Sequence, residues 1–160
     1  PDVAGSIEAE IERIGDVRRT LVHGDYSPKN VLVAESEGSK TAWILDFEVA
    51  HWGDPAFDLA FMCNHLLIKS AHDADRGEEY VAAARRFLDA YAEATSRDLE
   101  TVWDLEAPLV RELGVLMLAR VDGKSPVEYT DEPTEAALRA TAKRALSGPR
   151  PLSRHPRPGA

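Results

Sequence analysis

The sequence predicts a mainly helical α+β domain. Two textures carry that prediction. Short apolar stretches separated by polar turns fill residues 20–45, and apolar stripes at helical spacing fill residues 54–146. The two do not alternate as they would in a doubly wound sheet. The 160 residues are enough for one ordinary domain with a core, and they contain no internal repeat.

The first element is a short helix capped by Ser6. Ile7, Ile11 and Ile14 share one face, and Gly15 suits its stop. Strands follow at Thr20–Val22, Asn30–Val33 and Ala42–Leu45, with Ser36–Lys40 as a polar turn. Strands this short make a small hairpin ribbon rather than a large sheet. Asp54-Pro55 is a helix start: an N-cap side chain, then proline where its missing N–H costs nothing. Phe57, Phe61, His65 and Ile68 continue that helix. Arg76 to Thr95 is the next, with Val81, Ala84, Leu88 and Tyr91 on one stripe. Leu99 to Val121 is helical with a break or restart expected at Pro108, and Gly123 ends it. Asp131 and Pro133 open a last helix that runs to Leu146. Residues 147–160 hold four prolines, three arginines and two glycines, so the expected division is a domain over 1–146 and a flexible tail over 147–160.

Charge narrows the partners. Acidic residues number 28 against 19 basic, and a net charge of −9 repels nucleic acid and anionic membrane alike. No apolar run approaches the roughly 20 residues that cross a bilayer. Cys63 is the only cysteine, so an internal disulfide is impossible. With no signal peptide in view, a reducing, cytoplasmic location is expected.

The polar chemistry crowds into three segments. The first is His23-Gly24-Asp25-Tyr26-Ser27-Pro28-Lys29-Asn30, between two apolar runs. The second is Asp46-Phe47-Glu48, directly after an apolar strand. The third is Gly53-Asp54-Pro55-Ala56-Phe57-Asp58-Leu59-Ala60. Phosphoryl transfer needs a carboxylate to orient the attacking hydroxyl and hard oxygen ligands to hold Mg²⁺ on the phosphates. Asp25 and Asn30 have the spacing of an H-x-D-x-x-x-x-N loop, and Asp46 stands where a strand end delivers a second carboxylate. Acids converging without a cation repel, so a divalent metal is their natural complement.

These three motifs, in this order over about forty residues, resemble the aminoglycoside phosphotransferase family. That family is similar to choline kinases and methylthioribose kinases and, more distantly, to protein kinases. The resemblance implies the C-terminal lobe of a protein-kinase-like fold, with the hairpin ribbon carrying the active-site loops. It implies an ATP-dependent kinase that moves the γ-phosphoryl to a hydroxyl of an aminoglycoside-like or metabolite acceptor, with Mg²⁺. Asp25 becomes the catalytic carboxylate, Asn30 a magnesium ligand beside it, Asp46 the principal metal ligand and Glu48 a secondary one. His23 and Asp58 become braces, Asp58 by accepting hydrogen bonds from the catalytic-loop backbone. No substrate-binding residue is assigned.

Only 22 residues precede His23, with no glycine-rich hairpin and no lysine before Lys29. The family's nucleotide-binding N-terminal lobe is therefore expected to be missing here, supplied in cis by a longer protein or by another chain. The 160 residues alone are expected to bind ATP poorly and not to turn over. The alternative is a non-catalytic, kinase-like binding or regulatory module. Metal-assisted phosphoester hydrolysis is disfavoured for want of further histidine or carboxylate ligands.

Other constellations fail. Gly123-Lys124-Ser125 imitates the end of a P-loop, but Leu118 stands where the first glycine belongs. Cys63, His65 and His72 fit no zinc spacing. Asp73, Asp75, Glu78 and Glu79 read as a solvated helix start rather than a trap for polycations.

Overall fold

A computed structural model describes residues 2–36, 38–95, 99–123 and 126–147, with the backbone alone for 99–104. The order is helix α1 (Val3–Asp16), strand β1 (Thr20–Val22), a 3-10 turn (Pro28–Asn30), and strands β2 (Val31–Ser36), β3 (Ser39–Ile44) and β4 (His51–Gly53). Helices α2 (Pro55–His72), α3 (Gly77–Thr95), α4 (Leu99–Asp122) and α5 (Glu132–Ser147) complete it. Of the residues singled out in the sequence, Lys124, Ser125 and the tail residues 148–160 lie outside the described ones. No described helix is long and apolar enough to cross a membrane.

α1 begins earlier than the sequence predicts. Asp2 is its cap, accepting from the Gly5 N–H at 2.8 Å, while the Ser6 hydroxyl donates to the Asp2 carbonyl. An aspartate cap four residues upstream fits the N-terminus better, because its charge also meets the helix dipole. The expected isoleucine face is not the buried one: Ile11 is 59% exposed, whereas Glu10 is the helix's buried residue.

The strands form two antiparallel pairs rather than one ribbon. β2 and β3 make a hairpin in register Val31↔Ile44 to Ser36↔Ser39, and Gly38 supplies the positive φ of 78° at its tip. β4, which the sequence reading did not anticipate, pairs with β1 in register Thr20↔Gly53 to Val22↔His51. These short pairs bring the two ends of residues 20–53 together at the start of α2. The Arg19 N–H donates to the Gly53 carbonyl at 2.9 Å and closes the arrangement.

α2 is the central helix. Asp54 caps it, accepting from the Ala56 N–H at 3.0 Å, and Pro55 follows. Its outer half packs Ile68 against Met117 and Val121 of α4 and Leu138 and Ala142 of α5. Full burial of a side chain such as Ile68 or Met117 contributes about 1.5–3 kcal/mol. Its first turns pack Ala56 and Leu59 against Leu105, with Phe87, Leu88 and Tyr91 of α3 alongside. Cys63 lies within this buried row, its thiol pushed up to about 11 by burial. α4 runs without a break through Pro108, contrary to the expected restart. Its packing against α2 along its length holds a helix that lacks one internal hydrogen bond. At Gly114 the α4 backbone approaches α5 so closely that a Cβ would meet Leu146 Cγ at 2.9 Å.

Candidate active site

The loop between β1 and the 3-10 turn hangs from α2. Asp58, in the first turn of that helix, accepts from the His23 N–H at 2.7 Å and the Gly24 N–H at 3.0 Å. Gly24 sits at φ 85°, and a Cβ there would lie 2.9 Å from the Val49 carbonyl oxygen, so the position requires glycine. The His23 ring is buried, its Nε2 2.8 Å from the Leu45 carbonyl and its Nδ1 accepting from the Asp25 N–H at 3.2 Å. The loop is thus fixed by helix and strand before Asp25 makes any side-chain contact.

Asp25 meets two partners. Asn30 Nδ2 donates to its carboxylate at 2.9 Å and to its carbonyl at 2.8 Å. Lys29 Nζ lies 2.9 Å from the same carboxylate oxygen. Partial burial works against its charge, but the hydrogen bonds from Lys29 and Asn30 together outweigh it and hold the carboxyl below its usual range. Asn30 is buried, and with Nδ2 engaged its Oδ1 is the atom left to accept or to ligate.

Asp46 approaches through the backbone. The Leu45 N–H donates to the Asn30 carbonyl at 2.9 Å, which sets the end of β3 against the Asp25–Asn30 loop. Asp46, the next residue, is the only described non-glycine residue with positive φ, at 69°. Such a conformation costs on the order of 1 kcal/mol and turns the chain sharply out of the strand. Asp46 and Glu48 are exposed, and among the described residues no hydrogen bond or ion pair joins either to Asp25 or Asn30. The loop ring Phe47 lies 4.6 Å from His23, and Tyr26 lies 6.0 Å from Phe87. Behind the loop these rings line a cavity of about 320 Å³, with Asp58 and Tyr91.

The base of α2 is locked by a charge network that sequence reasoning missed. Arg13 of α1 binds Glu10, Asp54 and Glu112, and Arg111 of α4 binds Glu10 at 2.7 Å. Glu10, Asp54 and Glu112 are all buried. Burial would lower the pKa of Arg13, but hydrogen bonds to Glu10 and Asp54 outweigh it and hold the guanidinium firmly charged. Burial, and then the nearby Asp54 charge, push the Glu112 carboxyl up to about 8, against the pull of Arg13. The partners lie as far apart as residues 10 and 111 in the chain, so no local spacing signals them. The acids Asp73, Asp75, Glu78 and Glu79 do not share in any site: all but Asp73 are well exposed, and Glu79 pairs with Arg76 at 3.1 Å.

No curated protein matches the chain. The pattern of the phosphotransferase enzyme family (APH) matches residues 3–97, the span that holds α1, the strands, the Asp25–Asn30 loop, Asp46 and the Asp54–Asp58 helix start. That match covers more than half of the sequence, and the chain belongs to the phosphotransferase enzyme family.

Proposed function

We propose that this chain is the acceptor-binding, catalytic lobe of a kinase that moves the γ-phosphoryl of ATP to a hydroxyl of a small molecule. The observation that carries the reading is Asp25 held by Asn30 on a loop whose backbone hangs from Asp58. A group that orients an attacking hydroxyl must be charged and fixed. Asp25 is kept ionised at neutral pH by Lys29 and Asn30, so it acts by accepting and aligning the hydroxyl proton rather than as a strong base. His23 and Asp58 fix the loop that presents it.

The donor set suits magnesium. Asn30 Oδ1 and the Asp46 carboxylate are hard oxygens, and Glu48 is close in sequence as a secondary ligand. Magnesium takes one or two carboxylates and completes its shell with phosphate and water, a demand that Asp46 and Asn30 can meet without a larger protein cage. A magnesium ion bound with ATP supplies charge neutralisation on the phosphates.

The hairpin supports a second half. Leu32, Val33, Trp43, Ile44 and Leu45 are each 43–61% exposed, a run of apolar surface on β2–β3 beside the Asp46 turn. We assign this surface to the seat of a nucleotide-binding lobe, in cis or from another chain, and expect residues 1–160 alone to bind ATP poorly and not to turn over. The test is ATP consumption against a panel of alcohols by protein expressed from its full reading frame. Asp25→Asn should lower kcat by about 10²–10⁴-fold, and Asp46→Asn should weaken Mn²⁺ binding read by electron paramagnetic resonance. An Asp25→Asn variant with an unchanged rate would overturn the reading.

A further inference from the structure

The Arg13 cluster stands at the head of a path that ends on Asp25. Among the described residues, Arg13 makes no hydrogen bond or ion pair with the loop over 23–30; its acid partners are Glu10, Asp54 and Glu112. Asp54 divides its carboxylate between two tasks. Its Oδ1 accepts from the Ala56 N–H at 3.0 Å, and its Oδ2 takes Arg13 Nη1. Its carbonyl accepts from the Phe57 N–H at 3.1 Å. One side chain thus ties the first turn of α2 to α1. Asp58, four residues on, divides its carboxylate between the His23 and Gly24 N–H groups. The His23 ring in turn accepts from the Asp25 N–H at 3.2 Å.

A second link runs through the backbone. β1 follows α1 after three residues, and the last of them, Arg19, donates its N–H to the carbonyl of Gly53, the residue before Asp54. Both supports of the loop, β1 and the α2 cap, are therefore referenced to α1. The remaining fasteners hold other points: the His23 ring meets the Leu45 carbonyl, and Asn30 meets Asp25 and the Leu45 N–H. The His23 and Gly24 amides depend on Asp58.

Glu10, Asp54 and Glu112 are all buried, and one planar guanidinium reaches all three. A point charge on a flexible stem has no such fork. Without the fork, Asp54 keeps only backbone partners in a buried place, a costly position for a carboxylate. The cap is then driven toward water, and the turn that carries Asp58 opens with it.

We propose that Arg13 is a positioning residue for Asp25: it sets that carboxylate through Asp54, the first turn of α2 and Asp58, and touches none of the reacting groups. What Asp25 does there rests on the phosphotransferase reading above.

The test is NMR on the 160-residue chain carrying Arg13→Lys. Lysine keeps the charge and loses the fork, so a change at Asp25 comes from geometry rather than from Coulomb attraction. Two signals are read: hydrogen exchange at the His23 and Gly24 amides against that at Ala142 in the core of α5, and the titration of the Asp25 carboxyl carbon. Exchange at His23 and Gly24 should quicken about tenfold more than at Ala142, the loss of one charge-assisted hydrogen bond. The Asp25 midpoint should rise toward the ordinary carboxylate value as its bonds from Lys29 and Asn30 become less persistent. Leu138→Ala, which opens a cavity among Ile68, Met117 and Ala142, is the control. It lowers stability away from the path, so His23 and Gly24 should quicken no more than Ala142 and the Asp25 midpoint should stay. Asp54→Asn keeps the cap oxygen for Ala56 and weakens the hold of Arg13. It should give the same signature in a folded chain even where the lysine variant does not fold. Exchange that quickens equally at all three amides, or an Asp25 midpoint unmoved in both path variants, would overturn the assignment. Its failure is separable from that of the kinase reading. A loop that loosens in this way, with no phosphoryl transfer by the full-frame protein, upholds the linkage and sinks the kinase. Transfer by the full-frame protein beside a loop indifferent to Arg13 does the reverse.

Discussion

α2 carries residues of two charged clusters that follow opposite rules. At its cap, Asp54 joins Glu10 and Glu112, all three buried, with the half-buried Arg13 and Arg111. Further along, His65 and Lys69 face Asp25, Lys29 and Arg120 in a set that water still reaches, none of the five being buried. Where acids are shut away from water, they must be answered within the protein, and the arrangement becomes a fastener between α1, α2 and α4. Where water remains, solvent answers part of each charge, and the pairs contribute little to stability.

Breaking the buried cluster should have the largest effect. Arg13→Ala leaves three buried acids facing Arg111 alone. Urea unfolding should show a loss of about 3–5 kcal/mol, the cost of stranding buried charge.

The same cluster should respond to pH through Glu112, with a somewhat smaller effect. Its folded pKa of about 8 lies above its ordinary value of 4.5, so between those two pH values the folded state alone keeps the proton. Stability should therefore fall as pH rises from about 4.5 to about 8, by on the order of a few kcal/mol, and level off beyond. Glu112→Gln, which mimics the protonated form, should lack that fall. Denaturation midpoints of both proteins at pH 5 and pH 9 check it, and parallel curves would mean that Glu112 is ionised throughout.

The open cluster should barely register in stability. Lys29→Ala removes an exposed pair and should cost less than about 1 kcal/mol. Asp25 should nonetheless titrate higher than in the unaltered chain, because its strongest hydrogen-bonding cation is gone. Its carboxyl carbon shift, followed by NMR against pH, reads that change.

Legibility in the sequence followed the range of the interactions. α2 announces itself because Asp54-Pro55 is a local signal, and the Asp25–Asn30 pair because both residues lie within one turn of chain. α1 misled because Ile7, Ile11 and Ile14 form a regular stripe. The face it buries is decided by Glu10 and Arg13 meeting residues about 40 to 100 positions away. β4 was missed because His51–Gly53 is three residues long and its partner is β1, some thirty residues earlier. Pro108 was over-read as a break, since packing against α2 outweighs one lost hydrogen bond. Arg120 lies fifty-five residues from His65, so only the packing of α2 on α4 makes them neighbours.

The single cysteine has a practical corollary. Cys63 is only 3% accessible, and its thiol stays protonated at neutral pH. It is therefore silent toward maleimide reagents in the folded protein. A fluorophore or spin label can be installed at any one introduced surface cysteine, on the hairpin tip or at the end of α5, without first engineering the native one away. With one such cysteine on the ribbon and a second on the helices, distance spectroscopy between them is open on an otherwise unaltered background.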